Sequence, residues 1–403
     1  MCQCPSRRGG VGPLTFASVV SSLQRRSQVP IVQRMESTGP EAKNTHARDV
    51  TRTRSPFLVR PSVPLSLVDG EARAVKYLRL SVTDRCQYRC QYCLPAEGVT
   101  FVPRSELLDF DEIETMVRVF VGMGIDRIRL TGGEPTLRRD LVSLVSRLAR
   151  IEGLADLAMT TNADRMQELA KPLADAGLRR VNISLDTLRP ERFTELTRVG
   201  SLDRVRGGIA ATVDAGFEAV KLNTVVIRGV NDDEFGDLVR YAAEQGVTQR
   251  FIEYMPIGVD GFWSGETFMP VDEMVTELEK EFDVSAPLGY GPEANVPGQG
   301  PARYREVTPR KGGKTSRVGF ITAVSHDFCG TCNRVRLTAT GTLQPCLAVP
   351  GHLSLRDMLR SGADVSEIQA AVRDSLWGKA TGHEFEANGG GGRVFQTMSM
   401  TGG

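Results

Sequence analysis

Residues 180–188 read Arg-Val-Asn-Ile-Ser-Leu-Asp-Thr-Leu (RVNISLDTL). As a strand, this segment sets Asn182, Ser184 and Asp186 on one face and Val181, Ile183 and Leu185 on the other. A helix-like stretch precedes it and ends at Gly177, where a C-cap favours positive φ. The same unit recurs along the chain. Its other strands read YLRLSVT (77–83), RIRLTGGEP (127–135), LAMTTNA (157–163), AVKLNTVV (219–226) and QRFIEYMP (249–256). Gly124, Gly153, Gly216 and Gly246 precede the last four of these. The intervals between glycines leave room for a strand, a crossover helix and loops, so the strands are parallel.

Six such units suit either an open doubly wound sheet or a partial barrel. Strands buried on both faces read as near-continuous Val, Ile and Leu. These strands alternate instead: Arg79 with Ser81, Arg129 with Thr131, Asn182 with Ser184 and Asp186, Lys221 with Asn223. Polar faces turned inward need a wide lumen with polar contents, whereas a closed eight-stranded barrel fills its interior with side chains. The fold class expected is therefore α/β, an incomplete (β/α)6 TIM-type barrel over residues 72–288. Functional groups should collect at the C-terminal ends of its strands. Beyond a Gly- and Pro-rich boundary at 289–300, residues 302–345 suggest a small antiparallel hairpin sheet and 353–376 suggest helices. Residues 289–403 would thus form a small C-terminal α+β domain.

Residues 1–35 contain no Asp or Glu but carry Arg7, Arg8, Arg25, Arg26 and Arg34 among many serines. That is the composition of an organelle transit peptide. With the Pro-rich, polar stretch after it, residues 1–71 read as transit peptide and disordered linker, addressed to the mitochondrial matrix. Lys and Arg total 50 against 49 Asp and Glu, a net charge of +1, which argues against nucleic-acid binding by bulk charge. The absence of a long apolar run argues against a membrane span.

Apart from Cys2 and Cys4 in the leader, the cysteines form two triads. Cys86, Cys90 and Cys93 (C-x3-C-x2-C) follow the first strand directly. Structural zinc wants four ligands, and three thiolates suit an iron–sulfur cubane with one open iron. Cys329, Cys332 and Cys346 (C-x2-C-x13-C) leave two readings open: a second cluster, or a Cys3His zinc site using His326 or His352. Two triads in an intracellular protein do not suit a disulfide framework. Gly312-Gly-Lys314-Thr315 resembles part of a phosphate loop, but Thr308 stands where that pattern needs glycine, so it reads as a hairpin turn.

The first triad after a barrel strand, with Gly132-Gly133-Glu134-Pro135 ending the next strand, resembles the radical S-adenosylmethionine (SAM) superfamily. The segments LRLSVTDRCQYRCQYCLP, RIRLTGGEPTLRRDL, DAGLRRVNISLDTL, RFIEYMPIG and FCGTCNRVRLTATGTLQPCL, with a terminal Gly-Gly, resemble the GTP 3′,8-cyclase family. The resemblance implies two [4Fe–4S] clusters, one on each triad, and SAM held near Tyr92, Gly133, Ser184 and Met255. It implies GTP held by Arg79, Arg129, Thr160, Lys221, Arg334 and Arg336, with Arg127 and Arg250 as further contacts, and a catalytic part for Arg334 and Arg336. Glu134 and exposed carbonyls would meet the SAM ammonium. The implied reaction is radical removal of the 3′ hydrogen of GTP and ring closure on C8. An electron donor, a downstream cyclic pyranopterin monophosphate synthase and a homodimer are the expected partners. The Gly-Gly tail would insert toward the active site. The family usually has glycine where this chain has Ala163, and CLAVPGH after Cys346 also departs from its pattern.

Overall fold

The computed structural model describes residues 66–258, 262–298, 300–385 and 398–401. The transit segment, most of the linker and the terminal Gly-Gly lie outside the described residues. Ordered structure begins ahead of residue 72: Leu67 and Asp69 are buried, and the Leu67 amide donates to the Met123 carbonyl at 3.1 Å.

Six parallel strands form the centre: β1 (Tyr77–Ser81), β2 (Arg127–Thr131), β3 (Asp156–Thr161), β4 (Arg180–Ser184), β5 (Ala219–Val226) and β6 (Thr248–Glu253). Between them run α1 (Phe110–Gly122), α2 (Leu141–Ala149), α3 (Met166–Asp175), α4 (Pro190–Thr197), α5 (Leu202–Asp214) and α6 (Phe235–Glu244). Asp109 and Glu112 start α1 with a reciprocal capping box. The five glycines expected before strands all have positive φ, between 67° and 104°. The outward faces of the strands, among them Leu78, Leu80, Ile128, Leu130, Val181, Ile183 and Leu222, pack into one apolar core with the helices. Burying each such side chain contributes about 1.5–3 kcal/mol. A one-residue slip would exchange this set for the polar face, so burial fixes the register.

The C-terminal elements are α7 (Val271–Glu279), β7 (Phe282–Val284), β8 (Gly289–Tyr290), β9 (Arg303–Pro309), β10 (Ser316–Ile321), β11 (Arg334–Leu337), β12 (Thr342–Gln344), β13 (Leu353–Ser354), α8 (Leu355–Arg360) and α9 (Val365–Trp377). The expected hairpin is β9–β10, and Gly312 and Gly313 sit between its strands with φ of 86° and 133°. It does not make a sheet of its own. β10 joins β6 in parallel, while β11 joins β1 in parallel and carries β12 and β13 beyond it. One continuous sheet results, and it does not close. Both flanks of the six-stranded arc gain backbone partners that an isolated partial barrel would lack. No helix among the described residues is long and apolar enough to cross a membrane.

Candidate active site

The concave face of this sheet lines a cavity of about 370 Å³. Strand register stacks its floor in two rungs. Arg334, Tyr77 and Arg127 are neighbours across β11, β1 and β2, and one step higher Arg336, Arg79 and Arg129 repeat the arrangement. Lys221 on β5 and Arg250 on β6 face the same space. The lumen faces predicted from alternation are present, except that Ser81, buried at the end of β1, turns its hydroxyl to the Thr83 carbonyl at 3.2 Å.

The cations crowd one another. Burial, then Arg336, Arg129 and Arg334, holds the Arg79 guanidinium well below the usual arginine range. Burial and Arg334 bring Arg336 down to about 10. Burial, then Arg250, Arg180 and Arg129, brings the Lys221 ammonium down to about 6. Its Nζ donates to the Pro297 carbonyl at 2.5 Å and to the Tyr304 hydroxyl at 3.3 Å. Arg250 is buried, and its Nε and Nη2 have no hydrogen-bond acceptor among the described residues. For Tyr77, burial opposes ionisation, but Arg129, Arg79 and Arg334 outweigh it and lower its pKa to about 8. Arg129 Nε donates to the Tyr77 hydroxyl. Such a surface is poised for a polyanion, which arginine forks grip in bidentate fashion.

The first triad lies above these rungs, on the loop after β1. The Arg89 and Gln91 amides donate to the Thr197 and Leu196 carbonyls at the end of α4, and Arg198 Nη1 donates to the Arg89 and Leu94 carbonyls. This anchors the loop on both sides. Gly133 packs where a Cβ would stand 2.3 Å from the Arg85 carbonyl oxygen, so only glycine lets β2 approach the loop this closely. Tyr92 donates to Asp186 Oδ2 at 2.6 Å, and burial pushes the Asp186 carboxyl up to about 6. Glu134 lines the cavity as well and has a second, structural part. One oxygen accepts from the Thr136 amide and the Thr136 and Thr161 hydroxyls at 2.7–3.0 Å, the other from the Asn162 amide at 2.8 Å. The carboxylate therefore ties the β2 end to the β3 end.

The second triad faces the same cavity from the far side. Cys329 opens a short turn ahead of β11, and Cys346 follows β12. Phe328 lies under the Arg334 guanidinium at 5.0 Å. None of the six thiols is in a disulfide. Burial pushes Cys86, Cys93 and Cys329 up to about 12, 12 and 11, as expected of protonated thiols that bound iron would ionise. Cys332 goes the other way: Arg334 and Lys379 outweigh its burial and lower it. His326 faces Asp272 at 3.7 Å, and neither it nor exposed His352 lines the cavity. Among the described residues, no three His, Cys, Asp or Glu side chains converge as around a single ion.

Among the described residues, those assigned from the resemblance all line this one cavity: the six cysteines, Tyr92, Gly133, Glu134, Ser184, Met255, Arg79, Arg129, Thr160, Lys221, Arg334 and Arg336, and also Arg127 and Arg250. Met398 and Ser399 line it too, so the chain near its C-terminus reaches the site. Sequence reasoning missed Tyr77, although it stands two residues from Arg79 on the same face. It also missed His383 and Phe385, a stacked pair in the cavity wall with ring centroids 4.2 Å apart. No pattern in the chain marked that pair.

A partial barrel with a cysteine triad after its first strand defines a radical SAM protein. Residues 80–242 match the family model described as Radical SAM superfamily, and residues 247–385 match Molybdenum Cofactor Synthesis C. The GTP 3′,8-cyclase of Pseudomonas putida (strain W619) is 45% identical over 340 residues, covering 84% of this chain and 98% of that protein. That of Pelotomaculum thermopropionicum is 43% identical, covering 83% and 99%. Among solved structures, Streptococcus suis SuiB aligns with a TM-score of 0.48 at 16% identity, covering 74% of this chain and 68% of that one. The chain belongs to the GTP 3′,8-cyclase family. The radical SAM superfamily implies a [4Fe–4S] cluster and SAM, and the Cys86, Cys90 and Cys93 thiols, free and turned to the cavity, are a fitting donor set.

Proposed function

We propose that this chain closes GTP to (8S)-3′,8-cyclo-7,8-dihydroguanosine 5′-triphosphate, the first step of molybdenum cofactor biosynthesis. The carrying observation is one cavity with a cysteine triad at each side and a floor of arginines between them. When bound, the first cluster with SAM supplies a hydrogen-abstracting radical. Arg79, Arg129, Lys221, Arg334 and Arg336 bind the triphosphate and fix the ribose between the triads. Holding the reacting atoms in line is the protein's main contribution, together with excluding water. Arg334 and Arg336 also offset the negative charge beside the base.

The second triad holds a second [4Fe–4S] cluster in this reading. The position of His326 and His352, outside the cavity that Cys329, Cys332 and Cys346 line, favours a cubane over a Cys3His zinc site. An external reductant supplies the electron, and the product passes to a cyclic pyranopterin monophosphate synthase. A homodimer is the proposed assembly. The acid-free, Arg- and Ser-rich leader supports a mitochondrial matrix address.

The test is anaerobic reconstitution with SAM, a reductant and 3′-deuterated GTP. Deuterium should appear in 5′-deoxyadenosine, and its absence would overturn the cyclase reading.

A further inference from the structure

Three charged side chains outside the cavity are buried against the second triad. Asp69 precedes the barrel, Arg73 follows it by four residues, and Lys379 lies just after α9; their side chains are 0%, 7% and 2% exposed. Arg73 Nε donates to Asp69 Oδ2 at 2.7 Å, and its other nitrogens donate to the carbonyls of Cys329, Ala380 and Thr381 at 2.8–2.9 Å. Lys379 Nζ donates to the carbonyls of Cys332 and Arg334 at 2.9 and 3.0 Å and stands 3.6 Å from Asp69 Oδ2. It also points at Cys332 Sγ, at 3.8 Å.

The charges do not balance. Two cations share one carboxylate, which leaves a net positive charge in a dry site, where an uncompensated ion is costly. Carbonyl dipoles offset part of that cost. The anion within reach is the Cys332 sulfur, as a thiolate ligand. At the second triad the nearby carboxylate, Asp327, is exposed and accepts from the Cys329 amide at 2.9 Å, whereas the carboxylates lining the cavity beside the first triad, Glu134 and Asp186, are buried.

We propose that Lys379, held by Asp69 and Arg73, is a positioning residue that fixes the Cys329–Cys332 loop and raises the reduction potential of the cluster bound there. This rests on the second-cluster reading above. A donor aimed at a ligating sulfur stabilises the more negative, reduced cluster. The two clusters are thereby set apart in potential, the second being reduced more easily.

The test is an EPR-monitored redox titration of the reconstituted holoenzyme, with added SAM marking the first cluster's signal. Lys379→Met should shift the second potential to more negative values and leave the first in place, and Lys379→Arg should restore it. An unshifted second potential in Lys379→Met overturns the proposal. So does an equal shift in Lys379→Arg, or loss of the second cluster from both variants. A wild-type protein that takes up only one cluster would instead sink the second-cluster reading, which iron and sulfide analysis of the same sample distinguishes.

Discussion

Arg79 and Arg336 lie directly opposite one another on adjacent parallel strands, one from the start of the barrel and one from the C-terminal segment. Two partly buried guanidiniums side by side repel, and a polyanion between them removes the repulsion. Arg336→Met should therefore weaken GTP binding about 10–100-fold, the loss of one or two charge-assisted hydrogen bonds. The ligand-free protein should melt at a higher temperature, because Arg79 loses a like-charged neighbour. Calorimetric titration and thermal unfolding check the two halves, and unchanged GTP affinity would remove Arg336 from the site.

Lys221 links binding to pH. Its ammonium titrates at about 6 in the ligand-free fold against an ordinary 10.5. Between those values the unfolded chain holds one more proton, so stability rises with pH across the window and the penalty is complete below about 6. Lys221→Met should flatten that slope in denaturation curves. GTP restores the charge, so binding near pH 7.5 should take up close to one proton. Calorimetry in buffers of differing ionisation enthalpy reads this, and the uptake should vanish in Lys221→Met.

Ala163 is buried with φ of 63°, a left-handed conformation that costs an alanine about 1 kcal/mol or more. Its amide donates to the Thr161 hydroxyl, and Gly208 packs on its carbonyl, so neighbours hold the backbone in place. The alanine that stands where the family usually has glycine thus holds the left-handed conformation, with its strain retained. Ala163→Gly should stabilise the protein by about 1 kcal/mol in urea denaturation.

Glu134 separates a structural from a ligand-facing carboxylate. With its oxygens taken by Thr136, Thr161 and Asn162, Glu134→Ala strands buried donors and should cost about 3 kcal/mol of folding stability. A carboxylate serving the SAM ammonium alone would leave chemical denaturation unmoved and change only SAM affinity.

Local patterns carried most of the barrel. AVKLNTVV (219–226) is β5 from end to end, and alternation alone turned Arg79, Arg129, Asn182 and Lys221 into the lumen. Tyr77 was equally accessible to that rule, but an aromatic at a strand start reads as core. The pairing of β11 with β1 left no trace in either segment, because parallel register between distant strands has no local signature. Lys379 and Arg73 were hidden for a related reason. Their roles depend on which backbone carbonyls the fold brings to them, and carbonyls look the same at every residue.

The shared flank of β1 and β11 also sets an order of events during synthesis. β1 is made first, yet its outer hydrogen bonds wait until residues 334–337 have left the ribosome. Until then the nascent barrel carries an unpaired strand that can template aggregation. The other flank waits on β10 in the same way. A chain cut after residue 288 would keep both bare flanks and all of its first triad, and should be insoluble. Before the last third of the chain arrives, Cys86, Cys90 and Cys93 would face a cavity still lacking the wall that Arg334, Arg336 and Cys346 supply.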